Sequence, residues 1–221
     1  MQRSIVFLFD VDNTLLDNDR VTAHLRRYIE THFGTAARER YFAIFEELRR
    51  ELGYADYLGS LQRYRVENPH DVKLLELSSF LVDYPFATRL YPQSLDVVEH
   101  VKQWGTPVIL SDGDVVFQPR KVERSGLREG FENRVLIYIH KEEELADVEA
   151  KYPADHYVMI DDKLRLLSAI KGIWKNKVTT VFPRQGHYAL DPATIEKYPA
   201  ADVTIERIAD LLRFSLEQLI K

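Results

Sequence analysis

Ile5-Val-Phe-Leu-Phe-Asp10-Val-Asp12-Asn-Thr14-Leu-Leu-Asp17 is the stretch whose reading decides the fold. An apolar run of strand length stops at two acids one residue apart. A strand that apolar is expected to be buried on both faces, as in the middle of a parallel sheet. Asp10 and Asp12 then stand at its carboxyl end, where open α/β sheets bind their ligands. Two carboxylates there repel each other and lose solvation unless a cation neutralises them. A hard divalent metal, with one carboxylate free for nucleophilic attack, is the simplest account.

Downstream of this stretch, Arg20 to about Leu81 reads as helical. Val21, Leu25, Tyr28, Ile29 and Phe33 recur at helical spacing before Gly34, a good helix stop. Thr35 can cap a second helix with Tyr41, Phe42, Phe45, Leu48 and Leu52 on one side before Gly53. A shorter helix is expected over Tyr57–Tyr64. Asp71 can cap a fourth, with Val72, Leu74, Leu75, Leu77 and Leu81 as its apolar positions. Beyond Pro92 the texture alternates. Helices are expected over Ser94–Trp104 and Pro119–Ser125, and strands over Pro107–Leu110, Val135–Ile139, Tyr157–Ile160 and Val178–Phe182. Thr204–Leu219 reads as a closing amphipathic helix. This alternation implies right-handed βαβ units and a mostly parallel, Rossmann-like α/β sheet. An all-α segment, residues 17–90, is inserted after the first strand, and residues 1–16 and 91–221 form the core.

The chain of 221 residues is 45% hydrophobic and 29% charged, ordinary for a globular protein able to bury a full core. Its net charge of −5 argues against a nucleic-acid-binding module. It contains no cysteine, so disulfides, thiolate metal sites and cysteine nucleophiles are excluded. No segment approaches membrane-spanning length, and no signal-peptide core is seen. A cytoplasmic protein without membrane partners is the expectation.

Three later strand ends bear chemistry of the same kind. Leu110-Ser111-Asp112-Gly113 follows the strand at Pro107–Leu110 and is also good turn chemistry. His140-Lys141-Glu142 follows Val135–Ile139; its lysine fits a helix start with surface ion pairs as well as a site. Met159-Ile160-Asp161-Asp162-Lys163 ends another apolar strand with paired acids, and Asp162 equally suits a helix N-cap. Ends of adjacent parallel strands converge on one crevice. Lys141 precedes Asp161 by about one helix plus one strand, as a parallel crossover requires.

Asp10-Val-Asp12-Asn-Thr14, followed in order by Ser111, Lys141 and Asp161-Asp162, resembles the four signatures of the haloacid dehalogenase superfamily. Asp112 stands where Asn is commoner, and Glu142 where Pro is often found. The resemblance covers the whole chain, and the helical insertion resembles the superfamily's C1-type cap. It implies a Mg²⁺-dependent phosphatase of a small phosphorylated metabolite, working through an aspartyl phosphate. In that scheme Asp10 is the nucleophile and Asp12 the general acid/base. Ser111, Asp112 and Lys141 serve the phosphoryl group. Asp10, the backbone carbonyl of Asp12 and Asp161 hold the metal, and Asp162 ligates through water or orients Lys141.

Cap residues Arg20, Arg49, Tyr54, Tyr57 and Arg63 are candidates for gripping the remainder of the substrate, with solvated helix surface as the alternative for each. Arg184 and His187, after a further strand end, could approach the site from below or simply pack a loop. The presence of Asp12 argues against dehalogenation, which needs no leaving-group acid. Lys73 is the only cap lysine, so a Schiff-base phosphonatase is disfavoured. A phosphomutase or other phosphotransferase, or a catalytically silent binding protein on the same fold, remains an open alternative. The oligomeric state is not fixed by the sequence.

Overall fold

A computed structural model of the chain describes residues 4–220; residues 1–3 and 221, which the core was expected to include, lie outside the described residues. β1 (Ile5–Phe9) is buried along its whole length. Its side chains alternate between two apolar clusters. Ile5, Phe7 and Phe9 enter the one shared with the helical insertion, and Val6 and Leu8 enter the one on the opposite face. This period of two explains why the run is apolar throughout: neither face of the strand meets water.

β1 lies inside a six-stranded sheet with β2 (Thr106–Asp112), β3 (Val135–Tyr138), β4 (His156–Ile160), β5 (Val178–Pro183) and β6 (Val203–Ile205). The order is β3-β2-β1-β4-β5-β6, and every neighbouring pair is parallel. From β1 the chain builds β2 and β3 to one side, then crosses to β4 on the other. The order therefore reverses between β1 and β4. Carboxyl ends at such a reversal splay apart and leave a crevice.

Between β1 and β2 come α1 (Asn18–Phe33), α2 (Thr35–Leu52), α3 (Tyr57–Glu67) and α4 (Leu74–Val82), none of which adds a strand to the sheet. The chain leaves and re-enters the sheet side by side. Asp17 N–H donates to Arg89 O at 2.8 Å and Tyr91 N–H to Leu15 O at 2.9 Å. The helical layer meets the sheet layer through aromatic rings. Tyr57 lies 5.1 Å from Phe117, and Phe86 lies 5.7 Å from Phe117 in an edge-on contact. Such pairs add roughly 0.5–1.5 kcal/mol each beyond their area burial. The remaining core helices are α5 (Ser94–Lys102), α6 (Phe117–Arg124), α7 (Leu127–Gly130), α8 (Leu145–Lys151), α9 (Leu164–Trp174), α10 (Gly186–Leu190), α11 (Pro192–Lys197) and α12 (Leu216–Leu219).

The expected closing helix over Thr204–Leu219 is not formed. Asp202 Oδ2 accepts from Thr180 N–H at 2.8 Å and Thr180 Oγ1 at 2.9 Å, and pairs with Lys171. That fastens the chain to the edge of β5, and the β-branched Val203-Thr204-Ile205 adds the sixth strand. A 3₁₀ turn over Ile208–Arg213 and an extended break at Phe214 and Ser215 then separate it from α12. The fourth inserted helix also differs. Asp71 Oδ1 accepts from Lys73 N–H in a preceding turn, the helix starts at Leu74, and Val72 and Leu75 face solvent. Only Leu74, Leu77 and Leu81 of the expected set are buried.

Candidate active site

The register of the sheet builds the centre. Phe9 pairs with Ile160, so the next residues, Asp10 and Asp161, emerge side by side, and Asp10 N–H donates to Ile160 O at 2.9 Å. On the other side Ile109 pairs with Phe9, which brings Leu110 and Ser111 alongside. Lys141, after β3, reaches across below them and is completely buried. Its Nζ donates to Asp10 Oδ1 at 2.6 Å and to Leu110 O at 3.2 Å. It also lies 2.6 Å from Asp161 Oδ2, a contact without hydrogen-bond alignment. Asp112 Oδ1 fixes the lysine's backbone by accepting from its N–H at 2.8 Å.

Asp10, Asp161 and Asp162 offer carboxylate oxygens that all lie within 4.8 Å of one another, and all three residues are buried. Asp162 N–H donates to Thr14 Oγ1, and Asp161 Oδ1 accepts from Lys163 N–H. Among the described residues, four oxygens of this group have no donor: both of Asp162, Asp10 Oδ2 and Asp161 Oδ2. Buried polar atoms are seldom left in this state. Burial pushes the Asp161 carboxyl up to about 6, although Lys141 works against this, and burial raises Asp162 well above the usual carboxylate range. Burial alone would lower Lys141, but the carboxylates of Asp10, Asp161 and Asp112 outweigh it and hold the lysine charged. Lys141, and Lys163 from the crevice side, thus face three buried acids that still have unfilled oxygens. This donor set, all hard oxygen, fits a divalent cation such as Mg²⁺.

Asp12, two residues past Asp10, lies at the edge of a crevice of about 830 Å³ between the helical insertion and the sheet ends. Its carboxylate is held from the other side by a residue the sequence reading did not single out. Lys121 Nζ donates to Asp12 Oδ1 at 2.6 Å, Asp12 Oδ2 at 2.8 Å and Asn18 Oδ1 at 3.1 Å, so all three of its N–H groups are used. Lys121 is only 1% exposed. A signal existed: Lys121 is one helical turn beyond Phe117 and next to Val122, a lysine on the apolar face of α6. The loop that aims Asp12 turns at Asn13, whose φ is 60°. Asn13 Oδ1 accepts from the N–H groups of Asn18 and Asp19 and so closes the start of α1. Asparagine tolerates that backbone better than most residues.

The other expected residues divide. Ser111 is buried, and its Oγ accepts from Gln118 Nε2 at 2.9 Å; its own long contact is to Asp112 O at 3.4 Å. Asp112 lines the crevice, but one of its side-chain oxygens holds the Lys141 backbone. Tyr54, Tyr57 and Arg49 line the crevice, with Tyr57 OH bonded to Thr22 and Asn18. His187 lines it too and pairs with Asp19 at 2.6 Å. Arg20, Arg63 and Arg184 do not line it. Arg20 is exposed, Arg63 pairs with Glu51, and Arg184 pairs with Glu206 at 3.3 Å. Lys163, also unforeseen, lines the crevice beside the acids. Among the described residues, no helix is long and apolar enough to cross a membrane.

Comparison with known proteins finds relatives of the same fold. A haloacid dehalogenase-like hydrolase of Burkholderia xenovorans LB400 is 62% identical and superposes with a TM-score of 0.92, over 96% of this chain and 99% of that one. The magnesium-bound hydrolase YfnB of Bacillus subtilis shares the fold at 16% identity, with a TM-score of 0.61 and coverage of 96% and 98%. L-2-haloacid dehalogenase of Xanthobacter autotrophicus does so at 18% identity, with a TM-score of 0.62 and coverage of 94% and 96%. A search of curated proteins found no match. The family profile of haloacid dehalogenase-like hydrolases matches residues 6–173, and the chain is a member of that family.

Proposed function

We propose that the protein is a Mg²⁺-dependent phosphoric monoester hydrolase acting on a small phosphorylated metabolite. The observation that supports this most is Asp12. A second acid, two residues beyond the buried strand-end carboxylate, lines the crevice where a leaving group would depart. Hydrolysis of a carbon–halogen bond has no use for such an acid, whereas an ester oxygen must be protonated.

Asp10, with one oxygen held by Lys141 and the other without a donor, attacks phosphorus. The bond from phosphorus to the ester oxygen breaks, and Asp12 delivers a proton to that oxygen. Asp12 then takes a proton from water as the water attacks phosphorus. The bond to Asp10 breaks, releasing inorganic phosphate and restoring the carboxylate. Lys141 neutralises Asp10 and the phosphoryl oxygens. Ser111 turns its hydroxyl proton, weakly engaged at 3.4 Å, toward them. Lys121 fixes Asp12 in one orientation from behind. Mg²⁺, held by Asp10, Asp161 and the Asp12 carbonyl with Asp162 beside them, would supply the charge that lets a phosphoryl dianion approach three acids. Residues 17–90 act as the cap over this centre. A phosphomutase differs only in the acceptor of the phosphoryl group.

The test is phosphate release from an aryl phosphate and a panel of metabolite esters, with Mg²⁺ and with EDTA, beside halide release from 2-haloacids. Mg²⁺-dependent phosphate release that Asp10→Asn abolishes is expected. Halide release without ester hydrolysis would overturn the reading, and inertness toward both would favour the silent binding protein.

A further inference from the structure

The crevice is large compared with a phosphoryl group, and its charged residues are not evenly matched. The acids that line it are mostly engaged. Asp12 is held by Lys121, Asp19 by His187 and Asn13, and Asp112 by the Lys141 backbone. The cations Arg49 on α2, Lys197 on α11 and Lys163 before α9 keep hydrogen-bonding capacity free on the facing wall. Among the described residues the Arg49 guanidinium makes no hydrogen bond, and its ion-pair partner is Glu46 at 3.7 Å. Among the described residues no hydrogen bond engages the ammonium of Lys197, which lies 5.6 Å from the Tyr198 ring, or that of Lys163, whose charge is favoured by the buried carboxylates of Asp162, Asp10 and Asp161. Arg49 and Lys163 meet at one aromatic ring: each places its charge 5.4 Å from the centre of Tyr188. Arg49 comes from the insertion and Lys163 from the sheet side, so the two span the crevice mouth.

We infer that this wall is a second anion subsite, and that the substrate is a phosphate monoester bearing a further anionic group, a carboxylate or a second phosphate. The inference rests on the phosphatase reading, since it concerns the remote end of the same substrate. Two cations held near a ring, with hydrogen-bonding capacity unused, suit an anion that displaces only water. A neutral or cationic tail would leave them unpaired in a partly desolvated crevice, which costs affinity. Arg49 belongs to the cap, so an anion bridging it to Lys163 would also draw the cap onto the core.

The experiment uses matched esters: 2-phosphoglycolate against ethyl phosphate for the carboxylate source, and glucose 1,6-bisphosphate against glucose 6-phosphate for the phosphate source. In at least one pair the doubly anionic member should have a kcat/KM roughly 10- to 100-fold higher, as for hydrogen bonds to a charged group. Most of that difference should lie in KM, because the contact forms equally in ground and transition states. Arg49→Met should reduce the preference below about 3-fold while ethyl phosphate turnover stays unchanged, and Arg49→Lys should restore part of it. Lys197→Met provides a second probe of the same wall. Calorimetric binding of both members of each pair to Asp10→Asn gives a readout without turnover and should show the same order. Hydrolysis of all four esters with no preference in either pair would overturn the second-anion inference and leave the phosphatase reading intact. A preference that persists in both Met variants would do the same. Failure of every ester, with an aryl phosphate also inert, would remove the phosphatase reading and this inference with it.

Discussion

The buried acids make a prediction that needs no substrate. Asp161 has its carboxyl raised from 3.8 to about 6, with burial as the first cause. A raised carboxyl binds its proton more tightly in the folded chain than in the unfolded one. Below about pH 3.8 both states are protonated and the group costs nothing. As pH rises through the window from about 3.8 to about 6 the folded state must ionise it against burial, and stability is lost. At about 1.4 kcal/mol per pH unit the full loss is about 3 kcal/mol above pH 6. For a chain of this size that is roughly 6–12 °C in Tm. Asp162, raised further by the same burial, acts in the same direction. His24, lowered by burial and by nearby arginines, opposes it, so the comparison must be made against a variant.

The assay is thermal or urea unfolding in EDTA from pH 4.5 to 8, for the wild type and for Asp161→Asn. The variant lacks the titrating carboxyl and should gain on the wild type by about 2 kcal/mol between pH 4.5 and 7.5, the remaining ~1 kcal/mol falling below pH 4.5. Saturating Mg²⁺ should recover the wild type by a similar amount, since a ligand at 100 times its Kd stabilises by about 2.7 kcal/mol, and should leave the variant nearly unmoved. Parallel stability curves for the two proteins in EDTA would refute the electrostatic reasoning. An equal Mg²⁺ response in both would refute the metal assignment.

Three further outcomes are expected. Lys121→Met frees the Asp12 carboxylate to swing and should cut kcat for an alkyl phosphate on the order of 10²-fold, while rapid-quench traces with an aryl phosphate keep their burst; loss of the burst in a folded variant would give Lys121 another role. Thr14→Val leaves the buried Asp162 N–H without its acceptor and should cost about 1–3 kcal/mol in urea unfolding, and an unchanged midpoint would show that the bond is dispensable. Gly186 has φ +71° and packs directly on the Asn13 side chain, so Gly186→Ala should lower stability by about 1–3 kcal/mol; a neutral result would mean that the loop relaxes freely.

The sheet was legible because its central strands β1 and β4 are buried on both faces and therefore almost wholly apolar. Ile5–Phe9 and Tyr157–Ile160 could be read from composition alone. The sixth strand was not legible. Val203-Thr204-Ile205 is short and lies at an edge, and helical spacing of the apolar residues after it outweighed three β-branched positions. What fixes it as a strand is Asp202 reaching Thr180, a contact between residues 22 apart that no local pattern announces. Around the fourth inserted helix, Val72 and Leu75 fit a helical stripe on paper but project into solvent: Val72 precedes the helix, which begins at Leu74, and Leu75 lies off the face that Leu74, Leu77 and Leu81 bury.

Within the site, the acids were legible for a reason that does not extend to their partners. A carboxylate ending a buried strand is conspicuous, since nothing else in that run is polar, and strand ends in a parallel sheet have only one place to converge. Lys121 lies in a charged helix, where a lysine is ordinary, and Lys163 stands at the start of another, and only the fold shows that one is sealed against Asp12 and the other faces the crevice. The arginines mislead in the opposite sense. Arg20, Arg63 and Arg184 were as plausible as Arg49, but the first is exposed outside the crevice and the other two are taken by Glu51 and Glu206. Side chains at the sheet ends are placed by strand register, which the sequence encodes strongly, whereas those around the crevice are placed by how the insertion docks. Residues read from strand ends therefore bear on the reaction common to the fold. In the proposed reading, those found only in the assembled crevice distinguish this protein's substrate, and Arg49, with its guanidinium 5.4 Å from the centre of the Tyr188 ring, is where that proposal is most directly tested.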